Sequence, residues 1–132
     1  MIVVDTNIIA YFLIRDEQFS EIVDSLYDAD PDWVSPRLWL DEYLNVLVTH
    51  VRNGGMEAHL SVELLSDAID LMRERSFEVI PDRVLSVANR LNCSAYDAQY
   101  VSLAEDMGVQ LYSFDRRLVQ KCPDIARIPT KA

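Results

Sequence analysis

The chain opens on a short continuous apolar run, Met1 to Val4, that closes on Asp5. An unbroken apolar run of that length suits a strand buried on both faces of a parallel sheet. From there the period lengthens. A short helix is expected over 7–13, and a second, acidic one over 17–27, where Phe19, Ile22, Val23 and Leu26 recur at helical spacing. Asp30-Pro31-Asp32 interrupts the chain before a brief strand at Trp33 and Val34. Ser35 and Pro36 then read as the N-cap and first position of a helix running to Val51 and stopping near Asn53, Gly54 and Gly55. The pattern continues as a helix over 56–73, a strand over 77–80 and a helix from Pro81 to Leu91. Another helix begins at Ser94 and ends near Met107, with Gly108 as its terminating glycine. A strand over 110–113, a short helix over 115–121 and an edge strand over 125–128 complete the reading.

Strands that alternate with helices predict an α/β fold. We expect a single domain over 1–132 with a mostly parallel sheet of about five strands, flanked by helices. In open sheets of this kind ligands bind beyond the carboxyl ends of the strands, which directs attention to Asp5 and to Ser113, Phe114 and Asp115.

Composition narrows the classes. With 132 residues, half of them apolar, the chain can bury a core without staples. Three glycines leave no glycine-rich phosphate loop. The longest early apolar stretch, 6–14, is too short to cross a bilayer, and no basic segment precedes it as in a signal peptide. Cys93 and Cys122 lack metal-like spacing and read as reduced thiols of a cytoplasmic protein.

The net charge of −10 stands against nucleic-acid binding, which needs Lys and Arg. Its distribution qualifies that. Seven acids and no base lie within 16–32, and this block reads as a solvated acidic surface. From residue 116 onward Arg116, Arg117, Lys121, Arg127 and Lys131 face only Asp124. Such asymmetry can guide a polyanion to one end of the molecule.

Four carboxylates carry the candidate chemistry. Asp5 and Asp115 each follow a strand, and each could simply cap the next helix. Asp97 fits the first turn of the helix that Ser94 caps, where the dipole favours an acid. Glu42 resists a local account: it lies two turns into its helix, with Leu38, Trp39 and Val46 at helical spacing. Asp41 has Arg37 four residues earlier as a surface partner, and Glu42 has none. A charge facing a core must be paired, protonated or bound to a metal. Acids gathered in one place repel one another and hold protons unless something positive joins them. An all-oxygen donor set selects a hard cation such as Mg²⁺ or Mn²⁺, and His50, His59 and the thiols are too scattered for zinc. Such a site suits phosphodiester cleavage with water as the attacker.

These residues resemble the motifs of the PIN-domain family, in particular its VapC-like toxin branch. Ile2 to Asn7, with Asp5-Thr6-Asn7 at its end, resembles the family's first-strand motif. Ser35-Pro36 followed by Glu42 resembles the segment that supplies the second acid. The stretch from Ser94 to Ala104 around Asp97, and that from Leu111 to Leu118 around Asp115, are similar to the third and fourth motifs. Ser113 stands where Thr is commoner, which keeps the hydroxyl. The resemblance implies a Rossmann-like sheet and an Mg²⁺- or Mn²⁺-dependent ribonuclease. It also implies a homodimer and a small antitoxin partner that blocks the site. Asp5, Asp97 and Asp115 would hold the ion and Glu42 would complete the centre. Thr6, Asn7, Ser113 and Arg116 are expected around the substrate.

Trp33, Trp39, Tyr43 and Tyr100 are expected in the core or a dimer contact, and the faces around Leu40, Leu44 and Leu47 and around Leu60, Leu64 and Leu65 as ordinary core. A non-catalytic PIN-like module that binds RNA or protein is the alternative reading, and four intact acids stand against it. A phosphohydrolase with Asp5 as nucleophile would want a second Asp two residues on, where Asn7 stands.

Overall fold

The computed structural model describes residues 1–131. Its elements follow in the order β1 (Ile2–Val4), α1 (Thr6–Leu13), α2 (Ser20–Ala29), β2 (Trp33–Pro36), α3 (Leu38–Asn53), α4 (Ala58–Leu71), β3 (Ser76–Phe77), α5 (Pro81–Leu91), α6 (Ala95–Met107), β4 (Leu111–Tyr112), α7 (Arg116–Lys121) and β5 (Ala126–Arg127). The five strands form one sheet in the order β3-β2-β1-β4-β5, and every pairing is parallel.

The alternation of side chains along β1 divides the core in two. Val3 points to one face, where it joins Val34, Leu111 and residues of α5, α6 and α7, among them Val87, Val101 and Leu118. Ile2 and Val4 point to the other, where they meet Trp33 and residues of α1 to α4, among them Ile9, Val23, Tyr43 and Ala68. Helices therefore cover both faces, and the continuous apolar run of β1 follows from that double burial. Each such aliphatic side chain contributes roughly 1.5–3 kcal/mol by leaving water.

The strand order also locates a crevice. After β1 the chain builds β2 and β3 on one side, then crosses to build β4 and β5 on the other. The order reverses between β1 and β4, where parallel α/β sheets leave room for a ligand at the carboxyl ends. Val4 pairs with Tyr112, so Asp5 and Ser113 emerge side by side at that point.

Several expected elements move. Ser35 and Pro36 do not start a helix; both lie in β2, and α3 begins at Leu38 without a side-chain cap. Ser35 Oγ donates instead to the Val4 carbonyl at 2.6 Å. Ser35 and Arg37 donate their N–H groups to the carbonyls of Arg75 and Phe77, both at 3.1 Å. Pro36, between them, turns its missing N–H away from that ladder, so the strand tolerates it. The acidic helix starts at Ser20 rather than Glu17, because the Asp16 carboxylate binds the N–H groups of Gln18 and Phe19 in a turn. The strand expected over 77–80 shortens to Ser76–Phe77 because Ile80 already caps α5. Of the two leucine-rich faces, Leu47 is buried but Leu44 and Leu60 are exposed. Arg37 pairs with Glu78 at 3.4 Å, not with Asp41. Trp33, Trp39, Tyr43 and Tyr100 are buried as expected, and no helix among the described residues is long and apolar enough to cross a membrane.

Candidate active site

Asp5 ends β1 and caps α1, accepting from the Thr6 N–H at 2.7 Å through Oδ1. Its other oxygen receives the Ser113 hydroxyl at 2.6 Å and the Asn7 amide at 3.4 Å. Ser113 is fully buried, and its Oγ also accepts the N–H of Asp115 at 3.0 Å. One hydroxyl thus ties the acid after β1 to the acid after β4. Asn7 braces the same junction, donating to Ser113 Oγ at 3.4 Å and accepting the Phe114 N–H at 3.2 Å. Asp115 caps α7 through the N–H groups of Arg117 and Leu118 at 3.0 and 3.2 Å.

Glu42 reaches this junction from α3. Its Oε1 accepts the Thr6 hydroxyl at 3.0 Å and the Tyr100 hydroxyl at 2.5 Å, and the two hydroxyls lie 2.6 Å apart. Burial, followed by the charges of Asp5 and Glu42, raises the pKa of the Tyr100 phenol, so it remains a donor. Asp97 stands one turn before Tyr100 on α6, with its N–H on the capping Ser94 Oγ at 3.0 Å. The capping readings of Asp5 and Asp115 are therefore realised, and so is that of Asp97 in its helix's first turn. Capping and convergence prove compatible.

Electrostatics bind the four acids into one group. Burial pushes the Asp5 carboxyl up from 3.8 to about 6, and the charges of Glu42 and Asp97 add to the rise against the Ser113 and Thr6 hydrogen bonds. Burial also raises Asp97, with Asp115 and Glu42 adding and Lys121 opposing. None of the four makes an ion pair among the described residues. Neutral hydroxyls and amides hold them, and these leave the charge in place. The all-oxygen donor chemistry fits a hard cation. As the side chains lie, no three His, Cys, Asp or Glu residues among the described ones are grouped tightly enough to enclose an ion.

The acids separate two hollows. A groove of about 1090 Å³ passes Thr6, Asn7 and Glu42 between apolar walls that include Tyr11, Leu38 and Met56. A smaller recess of about 330 Å³ contains Asp97 and Asp115 together with Arg117 and Lys121. Of the residues expected around substrate, Thr6 and Ser113 are buried with their hydroxyls bound to acids, and Thr6 and Asn7 line the groove. Arg116 is exposed and lies outside the recess, whose lining includes Arg117 and Lys121. Sequence reasoning missed Tyr100 as part of the site. Its place three residues after Asp97, on the same helical face, was the available signal.

Comparison with known proteins bears on this geometry. A family model described as the PIN domain matches residues 2–122. The chain is 29% identical over 125 residues to Ribonuclease VapC3 of Pyrobaculum aerophilum, covering 92% of this chain and 95% of the relative. Among solved structures it is similar to PAE2754 of Pyrobaculum aerophilum, with a TM-score of 0.72 and 23% identity, over 95% of this chain and 81% of that one. It is also similar to FitAcB of Neisseria gonorrhoeae, with a TM-score of 0.71 and 20% identity, over 97% and 96% of the two chains. At these identities the structural likenesses establish the fold.

Proposed function

The chain belongs to the PIN domain family, and on that premise we propose that it is an Mg²⁺- or Mn²⁺-dependent endoribonuclease, the toxin of a toxin–antitoxin pair. The observation that carries this reading is the set of four mutually repelling acids at the sheet's switch point, none of them in an ion pair among the described residues. The ribonuclease name of the VapC3 relative supports RNA as the substrate.

Asp5, Asp97 and Asp115 would hold the cation. A bound cation would supply Lewis-acid chemistry, polarising a phosphoryl oxygen, lowering the pKa of water and steadying the leaving oxygen. The protein's own residues prepare that chemistry. Ser113 and the Thr6 N–H fix both oxygens of Asp5, so the carboxylate needs little reorganisation. Tyr100 and Thr6 hold one oxygen of Glu42 and leave Oε2 without a hydrogen bond from the protein among the described residues. That oxygen is disposed to orient water and take its proton.

A small antitoxin protein and a second copy of the chain are the partners of this reading. The mostly apolar groove beside Glu42 offers an antitoxin a place from which to cover the acids. The test is cleavage of a mixed RNA pool by the purified chain with Mg²⁺, Mn²⁺ or EDTA. Metal-dependent cutting that EDTA abolishes is expected. Cutting that persists in EDTA would remove the metal-dependent reading, and an intact pool under every condition would turn the assignment toward a binding module.

A further inference from the structure

Of the twelve lysines and arginines, seven form ion pairs with carboxylates among the described residues: Arg15, Arg37, Arg73, Arg75, Arg83, Arg90 and Lys131. The five without such a pair are Arg52 and four that follow Asp115, namely Arg116, Arg117, Lys121 and Arg127. In a chain of net charge −10, four of the five cations without an acid partner among the described residues thus gather within 116–127. Two of those four, Arg117 and Lys121, line the recess that also holds Asp97 and Asp115.

Lys121 is fixed rather than loose. Its Nζ donates to the Asn92 carbonyl at 2.6 Å, at the left-handed residue that ends α5. That tie holds an ammonium at the last turn of α7 close enough to Asp97 to act on it electrostatically. Arg117 lies one turn earlier on the same helix, with its N–H on Asp115. Ser94 and the exposed end of α5 complete the wall.

We propose that this recess is the phosphate subsite of the enzyme, where Arg117 and Lys121 grip a backbone phosphate of RNA next to the one being cut. The inference rests on the nuclease reading and extends it by giving the strand its anchoring charges. The ammonium supplies a point charge and the guanidinium a planar fork, two complementary ways of meeting phosphate oxygens. The arrangement also resolves the objection raised by the net charge. An acidic protein binds a polyanion where a few unneutralised cations are concentrated, and repels it elsewhere. Arg52, at the far end of α3 in an apolar hollow with Leu44 and Val48, has no acid among the residues lining that hollow and serves as the internal control.

The experiment measures binding of a fluorescent single-stranded RNA across a salt series with Mg²⁺ present, in an Asp5→Asn background that leaves the RNA whole. Arg117→Ala and Lys121→Ala should each flatten the slope of log affinity against log salt by about 0.7, and the double variant by about 1.4. At moderate salt the double variant should bind on the order of tenfold more weakly. Arg52→Ala should keep the parent slope, and Lys121→Arg should keep it too, separating loss of charge from loss of the Asn92 tie. Slopes in the recess variants equal to that of Arg52→Ala would overturn the proposal, as would a parent that binds no RNA. Cleavage of the same RNA by the unmutated chain is scored separately. Cutting with unchanged slopes removes the subsite alone, whereas flattened slopes without cutting retain it and remove the nuclease.

Discussion

Asp24 and Asp5 are the same residue type in two acidic regions of one small protein, and their surroundings drive them in opposite directions. Asp24, on the acidic surface, takes a two-pronged grip from Arg15 at 2.6 and 3.0 Å and its pKa is lowered. Asp5, at the head of the sheet, is held by a hydroxyl and an amide N–H, and its pKa rises to about 6. Around Asp24 the neighbouring acids are likewise met from within: Asp30 by the chain's own amino group, Asp32 by Arg75 and Glu21 by Lys131. Around Asp5 no carboxylate has an ion-pair partner among the described residues. Four of the seven acids of the surface region are thus paired among the described residues. The site is preorganised by donors that do not neutralise it, and on the proposed reading the balancing charge comes from a cation.

The sharpest separation of the two regions comes from charge removal. Asp5→Asn or Asp97→Asn should lower RNA cleavage by about 100-fold or more with circular dichroism unchanged, while Asp24→Asn leaves the rate as it was. Comparable losses from all three would dissolve the distinction. Stability against pH should differ in sign. A carboxyl whose folded pKa is raised from 3.8 to about 6 makes the fold lose stability as pH rises through that window. The ceiling is on the order of 3 kcal/mol, reduced in practice by the carboxyl's partial access to water. Thermal melts of Asp5→Asn should therefore lose this downward slope between pH 4 and 6, about the 3.8-to-6 interval. Asp24 works the other way. Its pair with Arg15 stabilises above the ordinary carboxylate pKa and is lost as pH falls through the lowered folded value.

Smaller effects follow. Tyr100→Phe removes one of two hydroxyls on Glu42 Oε1. A lost hydrogen bond of about 1.4 kcal/mol predicts roughly a tenfold fall in kcat with KM little changed. A fall in KM affinity with kcat intact would place Tyr100 in substrate binding instead. Arg15→Ala should be the least consequential, costing roughly 0.2–1 kcal/mol in denaturant melts and nothing in cleavage, because an exposed pair stabilises little.

Much of this contrast could be read from the chain because its signals are local. The apolar run of β1, the Ser94 cap, the Gly108 stop and the alternation of strands and helices are properties of neighbours in sequence, and each is realised. Glu42 stood out because an acid on an apolar helix face has no local explanation, and its partners Thr6 and Tyr100 lie 36 and 58 residues away. Where local cues mislead, a distant contact overrides them. Ser35-Pro36 has the composition of a helix start, but the Val4 carbonyl and the β3 backbone hold it as strand. Arg116 and Arg117 look equivalent in sequence, and only the packing of α7 against the end of α5 decides which one faces the acids. Tyr100 read as core because it is core; its single hydroxyl, aimed at Glu42, is visible only once α6 crosses the sheet.

The most direct test of the account is calorimetric titration of the metal-free chain with Mn²⁺ near pH 7.5, beside Asp97→Asn and Asp24→Asn. Saturable binding that Asp97→Asn abolishes and Asp24→Asn preserves is the predicted result. Binding lost equally in both variants, or retained in both, would show that the four acids do not act as one cation centre.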